Sequence, residues 1–119
     1  MYIDFENWLN RVLDENIPIE GVAINFNLYE EANMNWSIQL ISASSFDEED
    51  SDWCCEEEFT SGEDLFSWHQ DTGWEEIFDI SCDMIRKYLA GGKYSEELKK
   101  YEAVAVGFVD GDLEIIYRR

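Results

Sequence analysis

Val22-Ala23-Ile24-Asn25-Phe26-Asn27-Leu28-Tyr29 alternates large apolar with small or polar side chains, and after a polar break Trp36-Ser37-Ile38-Gln39-Leu40 does the same. A period of two puts Val22, Ile24, Phe26 and Leu28 on one face of a strand and their neighbours on the other. The break, Glu30 to Asn35, contains Asn33 and Asn35, both good turn formers. Two neighbouring strands with a short polar connection predict an antiparallel pair.

Working outward, the periodicity changes. From Asp4 to Glu15, Phe5, Trp8, Leu9, Val12 and Leu13 recur at helical spacing, with Asn16 and Pro18 as the stop. On the other side, Phe46 to Asp52 is an acidic loop, and Trp53 to Phe59 reads as a third strand with an acid-guarded edge. Thr60 to Gly73 reads as a polar connection with Phe66, Trp68 and His69 embedded in it. Trp74 to Leu89 carries Trp74, Ile77, Phe78, Ser81, Met84, Ile85 and Tyr88 at helical spacing, closed by Gly91 and Gly92. Arg86 and Lys87 complement its negative end, and Ser95 to Tyr101 suits a short further helix. Ala103 to Val109 and Leu113 to Tyr117 flank Asp110-Gly111-Asp112, a signal for a hairpin with a type I′ turn. The first of these two strands is apolar on both faces and should be central in its sheet. The expected fold is therefore one α+β domain over residues 1–119. Its mostly antiparallel sheet has about five strands, with two main helices packed on one face.

Composition constrains what such a domain does. A chain of 119 residues, 45% hydrophobic and 15% aromatic, buries roughly two-thirds of its unfolded surface and is not disordered. Its charge is one-sided: 28 Asp and Glu against 8 Lys and Arg, a net −20. Between Arg11 and Arg86 there are twenty acids and no Lys or Arg. Such a field steers cationic partners and costs stability through self-repulsion. It argues against nucleic acid, whose phosphates require clustered bases, and against an anionic membrane surface. No apolar run is long enough to span a bilayer, and Met1 to Glu6 lacks the basic and apolar regions of a signal peptide. Cys54, Cys55 and Cys82 form no disulfide framework, which fits a reduced, cytoplasmic setting.

Candidate chemistry is sparse. Asp50 and Asp52 alternate as calcium ligands do, but Cys54 takes the next ligand slot and no Gly follows. Adjacent Cys54 and Cys55 lack the spacing of a structural zinc site and, in a strand, point to opposite faces. His69, with Asp71 two residues on, is the only histidine. No Gly-rich phosphate loop, nucleophile elbow or metalloprotease helix is present, and no cofactor is implied. What stands out is Asp47 to Glu58, with eight carboxylates: Asp47, Glu48, Glu49, Asp50, Asp52, Glu56, Glu57 and Glu58. These residues read either as a solvated loop and guarded edge or as an anionic patch matched to a basic protein. Tyr29, Trp53 and Trp68 are the candidate aromatic anchors for such a partner. Trp53 fits the core as well, and its strand phase favours that.

In the acidic loop Phe46-Asp-Glu-Glu-Asp-Ser-Asp-Trp53, the aromatic-rich surroundings and the absence of catalytic motifs, the chain resembles small acidic immunity proteins of bacterial polymorphic-toxin and contact-dependent inhibition systems. The resemblance implies a non-catalytic protein that caps a cationic toxin, often a nuclease. The alternatives are an adaptor for another basic protein, or a small enzyme using His69 or carboxylates.

Overall fold

The structure, a computed structural model, describes all residues from Met1 to Arg119. The expected pair forms: β1 (Ala23–Glu30) runs antiparallel to β2 (Asn35–Ala43), with Phe26 opposite Leu40 and Leu28 opposite Ile38. In the turn between them Asn33 has φ 60°, a left-handed conformation that asparagine tolerates better than most residues. Gly21, which feeds β1, has φ 129°, and a Cβ there would lie 2.7 Å from Ser42 Oγ, so only glycine fits.

Six strands make one sheet. Its main order is β3 (Glu57–Thr60), β2, β1, β5 (Ala103–Phe108) and β6 (Glu114–Arg118). A further strand, β4 (Phe66–His69), shares the outer edge of β2 with β3. All pairings are antiparallel except β1 with β5. The doubly apolar β5 is central as expected, held between β1 and β6, and Ala103 to Gly107 are all buried.

Two main helices, α1 (Tyr2–Asn16) and α2 (Trp74–Gly91), pack on one face of this sheet. From α1, Phe5, Trp8, Leu9, Val12 and Leu13 are buried, the stripe that the spacing predicts. Facing them are Ile24, Phe26 and Leu28 of β1, Ile38 and Leu40 of β2, and Val104 and Val106 of β5. Tyr88 of α2 is fully buried and donates its hydroxyl hydrogen to Asn10 Oδ1 at 2.6 Å. The Tyr88 hydroxyl oxygen in turn accepts the Tyr94 amide at 3.1 Å, so this one side chain ties both helices to the turn before the short α3 (Ser95–Leu98). No helix is long and apolar enough to cross a membrane.

Three local expectations fail, each for a physical reason. Trp53 to Phe59 is not a single strand: Ser51–Cys55 is a short 3-10 helix, and only Glu57–Thr60 extends. Asp50 caps that helix by accepting the Asp52 amide at 3.1 Å, a local bond that competes with strand pairing. Phe66-Ser67-Trp68-His69 is a strand, not part of a polar connection. Its conformation is imposed by pairing with β2, where Trp68 lies opposite Trp36 and Phe66 opposite Ile38. Phe66 is a core residue, its ring 5.6 Å from that of Phe5 in an edge contact. The β5–β6 hairpin forms without a type I′ turn, because neither Asp110 nor Gly111 has positive φ. Instead Val109 to Leu113 loops back over the strand end, and the Gly111 amide closes on Phe108 O at 2.9 Å. A Cβ on Gly107 would sit 2.7 Å from Asp112 O, so the glycine makes room for that loop.

Candidate functional site

The face of the sheet opposite α1 and α2 carries a pavement of small residues: Ala23, Ala43, Ala103 and Ala105, all fully buried. Trp53 lies on it, 4% exposed, with the Phe46 ring edge-on at 5.1 Å. Alanine at all four positions leaves the depth that an indole needs, so the 3-10 helix can drop its one large side chain onto the sheet. The acidic loop is thereby pinned rather than free. Arg118 fastens it again: its guanidinium lies 4.9 Å over the Phe46 ring and reaches Glu48 Oε1 at 2.5 Å. The Ser44 amide donates to Glu56 O at 2.8 Å, and Ser45 Oγ donates to Glu56 Oε2 at 3.0 Å. Asp47 Oδ1 accepts the Glu49 amide at 2.9 Å.

On this ordered platform the charge is uncompensated. Asp47, Glu48, Glu49, Asp50, Asp52, Glu56, Glu57 and Glu58 are all exposed. Of these eight, only Glu48 has an ion-pair partner. Glu49, Asp52, Glu57 and Glu58 make no ion pair and no side-chain hydrogen bond. Asp47, Asp50 and Glu56 are engaged only in local bonds that hold the loop's shape.

The three candidate anchors separate. Trp53 is core and supports the platform from beneath. Tyr29 is half-buried on the same helix-free face, where its hydroxyl donates to Gln39 Oε1 at 2.9 Å. Gln39 Oε1 also accepts from Asn27 Nδ2 at 3.1 Å, and Asn25 Nδ2 donates to Asn27 Oδ1 at 2.7 Å, so a polar ladder runs along β1 and crosses to β2. Burial, then the nearby Glu57 carboxylate, raises the Tyr29 phenol, which keeps it a neutral donor. Trp68 is half-buried beside Phe66, its Nε1 bonded to Gln70 Oε1 at 3.1 Å. It pairs with the start of β2 whereas the platform borders the other end, so the two do not meet.

A second feature was hidden in the sequence. At the carboxyl ends of the parallel strands β1 and β5 lies a groove of about 680 Å³, within the range of ordinary ligand sites. Glu30 from β1, Phe108 from β5, Trp74 and Phe78 from α2, and the hairpin segment Val109 to Glu114 line it. Trp74 stands 54% exposed, although its helical phase puts it in the buried stripe. It is the first residue of α2, and its contact with the strands is an edge-on approach to Phe108 at 6.1 Å. Helical phase says which way a side chain points, not whether the sheet extends far enough to meet it. The one signal available was the apolar Val109 and Leu113 on either side of an acidic turn.

No protein-family model, curated protein or solved structure matches the chain. The functional reading therefore rests on the geometry.

That geometry separates the groups a nucleophilic enzyme would have to join. His69 pairs with Asn35 at the start of β2, while Cys54 packs in the cluster around Ala43 at its end. Eight residues of strand part them, roughly 26 Å. Burial, with Cys55 alongside, pushes the Cys54 thiol up to about 11, and burial pushes Cys82 up to about 11 as well. At pH 8 each is then a thiolate only about one part in a thousand of the time, and the thiolate is the reactive form. A thiol reagent at pH 8 should modify the exposed Cys55 first, with Cys54 and Cys82 reacting slowly and accelerating as the pH climbs towards 11. Equal labelling rates for all three would contradict this assignment. Nowhere do three or more His, Cys, Asp or Glu side chains converge as a metal-binding group.

Proposed function

We propose that this protein is a non-catalytic binding module that caps a cationic protein surface, of the immunity type that inhibits a basic toxin such as a nuclease. The observation that carries this reading is the platform: eight exposed carboxylates of which only Glu48 has a basic partner, presented on a loop that Trp53 and Arg118 hold in place. An ordered array also loses less entropy on binding, and that preorganisation favours affinity. Complementary charge accelerates encounter and excludes acidic competitors.

The test has two stages. The chain is used as bait in lysate of its source organism at low and high salt, and the retained proteins are identified by mass. Each basic protein retained is then expressed alone and together with the chain. Growth arrest by the partner alone, relieved by co-expression, is the expected result. A specific partner that is harmless alone would make the chain an adaptor and overturn the immunity reading. A diffuse set of basic proteins, all released by salt, would overturn specific capping altogether.

A further inference from the structure

We infer that the groove between α2 and the β5–β6 hairpin is the anchor pocket of this surface and that it takes an arginine side chain of the basic partner; the inference rests on the capping function proposed above. Its lining has two characters. Trp74, Phe108 and Val109 supply an apolar wall, and Glu30, Asp110 and Asp112 supply carboxylates that no base in the chain neutralises. An acidic metabolite would be repelled, and a plain hydrocarbon would bury those charges without an answering one. A long apolar stem ending in a cation satisfies both. Guanidinium fits better than ammonium. It is more weakly hydrated, stacks on an indole face and forks onto carboxylates.

Three further observations converge on the groove. Trp74 at 54% and Val109 at 56% are among the few large apolar residues left exposed, and both line this one cavity. Exposed apolar surface rimmed by polar groups marks an interaction site. The rim already receives one guanidinium from the chain itself: Arg86 approaches Glu114 at 3.9 Å and Asp83 at 3.7 Å, with both contacts open to solvent. The positive end of α2, which would otherwise favour an anion, is answered by Glu75 and Glu76 in its own first turn.

The groove is also continuous with the platform. Strand β6 begins at the groove with Glu114 and ends at Arg118, which holds Glu48, a span of roughly 13 Å at the usual rise per residue. Leu113 lines the groove and packs against the cluster containing Trp53. One partner covering about 800 Å², the ordinary size of one side of an interface, reaches both. The platform then steers and the groove holds, the division of labour expected between rim charge and a buried anchor.

The test is amide and indole NMR of the full chain titrated at low salt with the capped peptide acetyl-Gly-Arg-Gly-Arg-Gly-amide and with its lysine counterpart. Saturable shifts at the Trp74 indole N–H and at the Gly111 and Asp112 amides are expected. The arginine peptide should bind more tightly than the lysine one. Trp74→Ala and Asp112→Asn, both at exposed positions, should each weaken binding about tenfold. Lysines at Glu49, Asp52, Glu57 and Glu58 should leave the groove shifts in place. Shifts confined to the platform, and lost in that four-lysine variant, would overturn the groove while leaving the capping function standing. A lysine peptide binding as tightly as the arginine peptide would overturn the guanidinium assignment. Absence of saturable shifts anywhere would overturn both groove and platform as cation sites.

Discussion

Replacing Glu49, Asp52, Glu57 and Glu58 together by lysine should slow association with the cationic partner by about ten- to a thousandfold and flatten its dependence on salt. The four are chosen because their side chains make no ion pair or hydrogen bond, so the fold has nothing to lose from their replacement. Asp47 and Asp50 are left alone because their carboxylates accept the Glu49 and Asp52 amides. Glu48 is left because it holds Arg118. Each substitution changes the charge by two units, taking the net from −20 to −12, and the change is concentrated on one patch. Long-range attraction acts on encounter, so the loss should fall mainly on the association rate, measured by stopped flow across a salt series. Thermal stability should hold or rise, since like-charge repulsion is relieved. An association rate unchanged at low salt would remove the platform from the binding surface.

Trp53→Ala should cost about 3–5 kcal/mol, the range for truncating a large buried aromatic. That is a large part of the about 5–15 kcal/mol that separates folded from unfolded domains. The indole is 4% exposed between Phe46 and four fully buried alanines. Alanines have no side-chain freedom with which to close the space it leaves. Urea unfolding reads the loss, and Trp53→Phe should recover part of it. Amide exchange should quicken over the loop and 3-10 helix around it, because the pin that holds them is gone. The variant keeps every carboxylate, so the partner's association rate should change far less than its dissociation rate. The reverse pattern, slow association with unaltered dissociation, would show that presentation of the loop contributes nothing. A stability loss below about 1 kcal/mol would show that the indole does not fill the site.

Several elements were legible from sequence because they are long enough to show their own period. The alternation in Ile24, Phe26 and Leu28, the helical stripe from Phe5 to Leu13, and the unbroken apolar run at Ala103 to Val106 each state which side is buried, and the structure agrees. The charge imbalance is a property of composition and needs no fold. Other elements depend on partners far away in the chain. Phe66 to His69 is too short to carry a period, and its extended shape comes from β2, some thirty residues earlier. Trp53 sits in a segment whose local hydrogen bonds oppose a strand, and its burial is decided by four alanines from three strands. Trp74 has the phase of a core residue and the position of a surface one, because α2 begins at the rim of the groove.

The sequence by itself determined the two-layer α+β character, the central β5 and the acidic excess, all of which follow from local periodicity or from counting. Only the tertiary structure decided which carboxylates are neutralised, since Arg118 reaches Glu48 and Arg11 reaches Asp64 across long stretches of chain. The groove was settled at the same level. Its walls come from β1, α2, β5 and the hairpin, and a cavity is a relation among surfaces that no single segment contains.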